Sequence, residues 1–519
     1  MGKHTFLLAV FLTAAAFCAA PVLLVGQNAG TLDPTFGQAG EVVIQDSSNR
    51  YNGGHSVLLP DGRLIVAGLE VGPDIQNARP VFTRLMPDGS LDLSYGVNGQ
   101  ARLDINLPYR GIGKIALTTE GKLIVAGHIS GNASLAAFVV RLDTNGVMDP
   151  SFGQSGLALL DIPGNTDDYF FTALIKPNGT ILLGGSTNGV LLVQLLPDGV
   201  PDPSFGTGGI AHFQDVVGGT ESIFSLALQA DGKILTVGIN GGNNMQLIRF
   251  QPNGIIDPSF ANNGVFTFGT PSWVETAYGV AIQDDQKIMF YGTQHLANIN
   301  RIVLIRLQPN GSFDPAFGTN GRVFTDLGTF GLANTLVLQP DGKALIGAQS
   351  KQNPTNDEVQ FKVVRYNPDG SLDANFGNDG QVQTPIYAIV AESADLLLQP
   401  DGKIVHTGSA DGQLVLWRYL NDLMVGLEET PNAHFHLQCS PNPVRIESNL
   451  SWTLPAAAEV RCDLYDLQGK FLQMLLPPTF LPAGQQQCPL NFGSGKPTGT
   501  YFLVLRVGQQ QQVMRVTKL

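Results

Sequence analysis

Short apolar runs of strand length alternate with polar turn segments along most of this chain. In its first part the runs are Glu41–Ile44, His55–Leu59, Arg63–Gly68 and Val81–Leu85, and the turn Pro60–Gly62 separates the middle two. Runs of about four to eight residues bounded by Pro, Asp and Gly are typical of strands that are joined by tight turns. The pattern predicts an all-β chain of short antiparallel strands.

The strand pattern recurs together with a short phrase, Asp-x-x-(Phe/Tyr), which glycine follows in every copy except the fifth, where Ala261 stands. The copies begin at Asp33, Asp92, Asp149, Asp202, Asp257, Asp314 and Asp373. A spacing of this size indicates a repeat architecture, and four strands per repeat is the content of one propeller blade. We predict a seven-bladed β-propeller over residues 31–424. A linear β-solenoid is the alternative, but it prefers shorter coils and end caps.

A second set of residues stands at a constant spacing from the phrase. An Arg, or a Gln in the third copy, stands eight residues before six of the seven Asp residues. The pairs are Arg84 and Asp92, Arg141 and Asp149, Gln194 and Asp202, Arg249 and Asp257, Arg306 and Asp314, and Arg365 and Asp373. This spacing predicts a hydrogen bond from each Arg or Gln to its Asp across a turn, which fixes the geometry between blades and does no chemistry.

The pairing rule leaves one residue without a partner at each end of the repeats. Arg418 has Gly426 eight residues later, and Asp33 has no Arg before it. If the ring closes, these two residues should meet. We therefore expect the segment around Asp33 to lie beside the last blade and to latch the ring.

Each phrase also supplies one aromatic residue at a constant position. These residues are Phe36, Tyr95, Phe152, Phe205, Phe260, Phe317 and Phe376. A ring of aromatics could form a stacking surface for a ligand. We expect instead that they fill the space between adjacent blades.

The ends of the chain differ from the repeats. Lys3 and the apolar run Phe6–Val25 predict an export signal over residues 1–26, with an uncleaved anchor as the alternative because the run approaches the length of a membrane span. No later segment is apolar enough to cross a membrane. The formal net charge of −13 argues against nucleic acid and anionic membranes as partners.

The last part of the chain, residues 438–519, follows a linker at residues 425–437 and predicts a small immunoglobulin-like β-sandwich, because apolar strands alternate with glycine turns. It holds Cys439, Cys462 and Cys488. Cys462 and Cys488 either form a disulfide in an oxidising compartment or act as small buried hydrophobes.

Two resemblances follow from these motifs. The phrase Leu32–Gly37, followed by the Pro-Asp-Gly-(Lys/Arg) turn, resembles the delta-60 repeat of bacterial secreted proteins. The final segment resembles the C-terminal sorting domain of type IX secretion cargo. Its matching positions are Pro441, Asn442, Pro443, Gly469, Lys470, Gly499 and Tyr501. The second resemblance implies a bacterium of the Bacteroidetes type, passage through the outer membrane by the type IX machinery, and release or attachment at the surface.

The sequence shows no catalytic, cofactor-binding or metal-binding constellation. The leading interpretation is an exported, non-enzymatic propeller that binds a glycan or a protein through one face. The alternative is a secreted carbohydrate-active hydrolase or lyase that uses carboxylates on the propeller face, and a structural surface protein is a third. The longest departures from the repeat are Val71–Pro80, Gly264–Thr276 and Leu296–Arg301, where a binding surface would be specialised.

Overall fold

The computed structural model describes most of the chain after residue 28. The described ranges are 29–45, 50–72, 78–103, 109–130, 135–160, 162, 167–187, 189–214, 221–270, 273–296, 299–328, 330–351, 358–388, 391–399, 401–421, 435–445, 447–466, 471–491, 498–507 and 510–519. All regular secondary structure in these ranges is β-strand, which confirms the all-β prediction. The predicted signal peptide, Gly469, Lys470 and most of the linker lie outside the described residues.

Seven four-stranded antiparallel sheets, the blades, occupy the described part of residues 41–419. Blade 1 contains β2 (Arg50–Leu58), β3 (Leu64–Val71), β4 (Arg79–Leu85) and β5 (Gln100–Arg102). Blade 2 contains β6 (Tyr109–Leu117), β7 (Leu123–Ser130), β8 (Leu135–Leu142) and β9 (Leu157–Leu160). Blade 3 contains β10 (Tyr169–Ile175), β11 (Ile181–Thr187), β12 (Gly189–Leu195) and β13 (Ile210–Phe213).

The next four blades repeat this order from the innermost strand outwards. Blade 4 contains β14 (Ser222–Leu228), β15 (Ile234–Ile239), β16 (Met245–Phe250) and β17 (Val265–Phe268). Blade 5 contains β18 (Val274–Ile282), β19 (Ile288–Leu296), β20 (Ile299–Leu307) and β21 (Arg322–Gly328). Blade 6 contains β22 (Phe330–Leu338), β23 (Ala344–Lys351), β24 (Glu358–Tyr366) and β25 (Gln381–Tyr387). Blade 7 contains β26 (Ala391–Leu398), β27 (Ile404–Ala410), β28 (Gln413–Tyr419) and β1 (Glu41–Ile44).

Both ends of the propeller region contribute to blade 7. Strand β1 pairs with β28, with Val43 opposite Val415, so the first strand of the chain is the outer strand of the last blade. The innermost strands contact one another in order around the ring, and β26 contacts β2. The ring is therefore closed, and no linear solenoid is formed.

The sequence unit and the blade are offset by one strand. The sequence pattern groups Glu41–Ile44 with the three strands that follow, and this grouping is wrong. The Asp phrase forms a short connection, and the strand after it pairs with the strand before it, as β5 does with β4. The strand after each phrase therefore completes the preceding blade. The strands that carry the paired Arg residues are accordingly third, and not fourth, in their sheets.

Apolar side chains fill the spaces between blades. Leu64 and Val66 of blade 1, for example, share one buried cluster with Val405 and Leu416 of blade 7 and with Phe36. The middle strands are buried on both faces, which explains their nearly continuous apolar sequence. Burial of this surface is the main favourable contribution to the folding of the ring.

The C-terminal segment forms two sheets that share one core. One sheet contains β29 (Gln438–Ser440), β30 (Glu447–Leu454) and β33 (Gly484–Asn491), and the other contains β31 (Ala458–Asp466), β32 (Phe471–Leu481), β34 (Gly499–Val507) and β35 (Gln510–Lys518). Trp452, Cys462 and Cys488 lie in this core, and both thiols are free. Phe435 and Leu437, which the sequence assigned to the linker, are also buried there.

Candidate functional site

Each repeat brings its Arg or Gln into contact with its Asp, at the end of the blade that carries both tight turns. Nε of Arg lies 2.7 Å from Oδ2 of Asp in the pair Arg84–Asp92, 2.9 Å in Arg141–Asp149, 2.9 Å in Arg249–Asp257, 2.8 Å in Arg306–Asp314 and 2.8 Å in Arg365–Asp373. In the third copy Gln194 Nε2 donates to Asp202 Oδ2 at 2.7 Å. Arg418 Nε donates to Asp33 Oδ2 at 2.9 Å, so the two terminal residues do meet.

We call each Asp with its basic partners an Asp junction. In the junction of blade 7, Asp33 Oδ1 accepts from the backbone and hydroxyl of Thr35, while Oδ2 lies 2.9 Å from Arg418 and 3.2 Å from Lys403 Nζ. Burial acts to raise the pKa of Asp33, but the Thr35 hydrogen bonds, Lys403 and Arg418 outweigh it and lower the pKa to about 2. The carboxylate is therefore charged at neutral pH.

In the six junctions that contain an Arg, the guanidinium also contacts the next blade. Arg84 Nη1 donates to the carbonyl of Thr144 in blade 2, and Arg418 Nη1 donates to the carbonyl of Pro87 in blade 1. The phrase aromatics are buried, and six of them lie under the junction Arg at 4.4 to 4.9 Å from ring centroid to guanidinium carbon. The junctions and their aromatics thus bind blades to one another and leave no open ligand surface at these rings.

Six of the seven junctions have a second basic partner that the sequence did not single out. A Lys or Arg directly after the tight turn contacts the Asp, as Arg63 does to Asp92 at 2.7 Å and Lys122 to Asp149 at 2.8 Å. In the third copy, the one with Gln194, Lys176 instead donates to the Gln194 amide and lies over the Phe205 ring. The recurrence of a basic residue after the turn was the signal that would have found it.

The wall around the propeller axis is not symmetric. Every innermost strand has a β-bulge at the same place, and a bulge re-aims the side chains beside it. At the bulge itself stand the aromatic residues Phe171, Phe224 and Tyr278 in blades 3, 4 and 5, and one position later stand the polar residues His55, Lys114 and Asp395 in blades 1, 2 and 7. We call the first set the aromatic half of this wall and the second set the polar half.

The aromatic half is a continuous series of half-buried rings. The centroids of Phe171 and Phe224 lie 5.3 Å apart, and those of Phe224 and Tyr278 lie 5.5 Å apart. These separations are in the range of favourable aromatic contacts. The series therefore stabilises the ring from within.

The polar half holds one carboxylate between two basic groups. Asp395 Oδ2 lies 3.3 Å from His55 Nδ1, its Oδ1 lies 3.7 Å from Lys114 Nζ, and the backbone of Ser56 donates to it at 2.9 Å. Burial opposes ionisation of Asp395, yet the Lys114 charge and the His55 hydrogen bond hold its pKa well below the usual range. Close approach of strands permits the cluster, since a Cβ on Gly54 would stand 2.8 Å from the backbone of Gly408.

A groove lies at the opposite end of the blades from the junctions and spans blades 5, 6 and 7. Its volume is about 720 Å³, within the range of about 300–1,000 Å³ that is typical of small-ligand sites. The first residues of β18, β22 and β26, Val274, Phe330 and Ala391, line it. Phe330 is 56% exposed and Val274 is 42% exposed, so the rim is apolar and open to solvent.

The floor of the groove is polar. Ser350 is 2% exposed, and its Oγ has no hydrogen-bond partner among the described residues. Asn300 Nδ2 donates to the carbonyl of Gly331 at 3.0 Å, and Gln349 Oε1 accepts from the backbone of Ser393 at 2.5 Å. Both amides are therefore held in fixed orientations, and Gln349 and Ser350, which are consecutive in β23, point to opposite faces of the sheet.

Two of the three departures from the repeat reach this groove. Val274 belongs to Gly264–Thr276, and Asn300 belongs to Leu296–Arg301. The third departure, Val71–Pro80, lies in blade 1 and is partly outside the described residues. Sequence patterns gave no sign of Phe330 or Ser350, since neither interrupts a repeat motif.

Among the described residues of the sorting-domain resemblance, Asn442 joins the start of the C-terminal segment to its last strand. Asn442 Nδ2 donates to the carbonyl of Arg515 at 3.1 Å, and its Oδ1 accepts from the backbone of Thr517 at 3.0 Å. Pro441 and Pro443 flank it, and Gly499 and Tyr501 lie in β34. The Pro-Asn-Pro segment thus binds the last strand.

Within the described residues, His, Cys, Asp and Glu side chains form no group of three or more that would hold a metal ion. The same part of the chain contains no helix that is long and apolar enough to span a membrane.

Comparison with known proteins supports the repeat architecture. Six segments match the family described as "Domain of unknown function (DUF5122) beta-propeller", at residues 59–95, 120–152, 176–205, 229–260, 283–317 and 339–376. Each segment runs from the turn after an innermost strand to the phrase aromatic. The chain therefore carries a repeat β-propeller. A comparison with curated proteins finds no match.

Several solved structures share the general shape at low similarity. The PQQ-bound aldose sugar dehydrogenase from Streptomyces coelicolor is 14% identical, with 66% of this chain and 97% of that chain covered and a TM-score of 0.35. The polysaccharide lyase Uly1 is 10% identical, with 75% and 99% covered and a TM-score of 0.36. Prolyl oligopeptidase B from Galerina marginata is 9% identical, with 77% and 55% covered and a TM-score of 0.32. Likeness at this level carries no argument about activity.

Proposed function

We propose that this chain is an exported bacterial binding module, a seven-repeat propeller of the delta-60 type that holds a glycan or protein ligand in the groove of blades 5–7. The observation that carries the proposal is the buried Ser350 hydroxyl on the polar floor of an open groove with an apolar rim. A buried hydroxyl without a partner is costly, and a ligand that supplies a hydrogen bond offsets that cost. Two departures from the repeat border the same groove.

The binding proposal is tested with the full chain, immobilised and exposed to polysaccharide and host-protein panels. We expect retention of at least one ligand, and loss of retention in Phe330→Asp, which places a charge on the apolar rim. Phe324→Asp is the matched control, because Phe324 is a 45% exposed ring on β21 that does not line the groove. Equal retention by wild type and Phe330→Asp would contradict this assignment of the site.

Export through the type IX machinery is the second part of the proposal. It is supported by the order of sorting motifs from Pro441 to Tyr501 in a segment that forms two β-sheets, together with the apolar N-terminal run. Deletion of Cys439–Leu519 is expected to leave the propeller in the periplasm. A fusion of that segment to a reporter with a cleavable signal is the control and should reach the surface. Surface display of the truncated chain would contradict the sorting assignment.

A secreted hydrolase or lyase is the second candidate, and the His55–Lys114–Asp395 cluster is the observation that favours it. A turnover assay on the same polysaccharide panel separates the two candidates. Product formation that Asp395→Asn abolishes would establish the enzyme. Binding without turnover supports the module.

A further inference from the structure

We propose that the groove of blades 5–7 accepts a segment of an uncharged glycan, with one pyranose ring stacked on Phe330 and a sugar hydroxyl bonded to Ser350 Oγ. This inference rests on the proposed binding function and names the ligand class that the site takes. Four features of the groove carry it.

The first feature is the unsatisfied hydroxyl. Ser350 is almost fully buried on the floor, and its Oγ lacks a partner in the described structure. A serine hydroxyl donates one hydrogen bond and accepts up to two. The Oγ itself is enclosed, so a ligand hydroxyl reaches it when the lining beside it shifts, whereas an apolar ligand would leave the group unpaired.

The second feature is the exposed ring. Phe330 begins β22 with 56% of its surface exposed. A flat apolar face beside polar floor groups matches a pyranose, which carries C–H groups on its faces and hydroxyls on its edges. Stacking on an aromatic ring is one of the stronger contacts that such an uncharged face can make.

The third feature is the fixed amides. Asn300 uses its Nδ2 on Gly331, so its Oδ1 faces away from that carbonyl as an acceptor. Gln349 Oε1 accepts a hydrogen bond from the backbone of Ser393, so the Nε2 on the other side of the amide is the donor. One acceptor and one donor are thus set in place before a ligand arrives, which lowers the entropic cost of binding.

The fourth feature is charge and shape. The residues that line the groove include no Asp or Glu, although His295 and Lys351 are among them, and the chain carries a formal net charge of −13, which repels anionic polymers at long range. A protein partner needs a contact of roughly 800 Å² on each side. A concave space of about 720 Å³ suits a short glycan segment better than such a surface.

The test is calorimetric titration of the full chain with neutral hexaoses of β-1,4-glucose, α-1,4-glucose, β-1,3-glucose and β-1,4-mannose, with hexagalacturonate and a panel of proteins in parallel. We expect at least one neutral hexaose to bind. Phe330→Ala should weaken that binding about tenfold or more, and Ser350→Ala about fivefold, as residues at the centre of a site do. Phe324→Ala, the control, should change the dissociation constant by less than about twofold. Thermal unfolding of each variant confirms that the fold is retained.

The outcomes separate this inference from the proposed function. Binding of hexagalacturonate or a protein, dependent on Phe330, with no neutral hexaose bound would overturn the ligand class and keep the binding module. Hexaose binding that neither Phe330→Ala nor Ser350→Ala weakens would overturn the site. Absence of any bound glycan or protein would overturn both proposals.

Discussion

Arg418 and Asp33 are 385 residues apart in the sequence and share a hydrogen bond of 2.9 Å. A spacing rule alone pointed to this contact, because every other Arg or Gln in the series had its Asp eight residues later. The rule works because the Arg lies at a strand end and the Asp at the following turn. Seven repeats of this local geometry leave one Arg and one Asp over, and ring closure joins them.

Removal of the Asp33 carboxylate should destabilise the propeller. In Asp33→Ala the guanidinium of Arg418, which is 4% exposed, loses its paired charge, and we expect a loss of about 3 kcal/mol in the free energy of unfolding. Asp401→Ala is the matched control, since Asp401 contacts the same Lys403 but is 53% exposed. This change should lower the free energy of unfolding by less than about 1 kcal/mol. Urea unfolding measures both. Equal effects would show that the junction does not stabilise the ring.

The junctions also predict a pH dependence. The pKa of Asp33 and of Asp257 is lowered to about 2 in the folded protein, against about 3.9 in an unfolded chain. A lowered pKa stabilises the folded state fully above the unfolded value, so stability should fall as the pH drops from about 4 to about 2. Urea midpoints across this range measure the fall. Asp33→Ala should show a smaller fall than wild type, and a flat wild-type profile would contradict the account.

The fifth tight turn is strained in a way that one substitution removes. Gln286 has φ of 64°, where the equivalent turn in blade 6 has Gly342 with φ of 85°. A non-glycine residue in this region costs about 1–2 kcal/mol, and glycine adds about 0.5–1 kcal/mol of chain entropy. Gln286→Gly should therefore raise the free energy of unfolding by about 0.5–1 kcal/mol. Gly342→Gln, the reverse change, should lower it, and thermal unfolding of the two variants checks both signs.

At the scale of elements, β1 is the strand on which closure depends. It covers β28, whose Leu414 and Leu416 are fully buried, and it brings Asp33 and Phe36 to the seam between blades 7 and 1. The sequence predicted that this segment would lie beside the last blade. The sequence did not predict that β1 is a strand of blade 7, because a repeating sequence does not indicate which strand of the repeat is the first strand of a sheet.

Deletion of residues 29–44 should open the ring. The free edge of β28 and the uncovered apolar faces beside it are a template for pairing with other chains, so we expect the truncated protein to aggregate. Light scattering at increasing protein concentration measures this. A synthetic peptide of residues 29–45 should restore a monomer, and the same peptide with Asp33→Ala should restore it poorly. A truncated chain that stays monomeric and thermally unchanged would contradict the role of β1.

At the scale of the whole molecule, a regular ring carries two irregular surfaces. Strand length, turn chemistry and the phrase spacing are local, so the sequence predicted the blades and the junctions. The axial cluster of His55, Lys114 and Asp395 and the groove residues Phe330 and Ser350 come from different blades. Their positions vary from copy to copy without breaking a motif, and only the closed ring brings them together. Of the groove, the sequence pointed only to the segments Gly264–Thr276 and Leu296–Arg301, because these depart from the repeat.

Hydrogen–deuterium exchange of the full chain, with and without the tightest-binding member of the glycan and protein panels, tests the central claim most directly. The claim is that one groove on the face opposite the junctions is the binding site. The account predicts slower exchange in peptides that cover the start of β22 and the end of β23, with the Asp junctions unchanged. Protection confined to the junction face or to the C-terminal sandwich would contradict it.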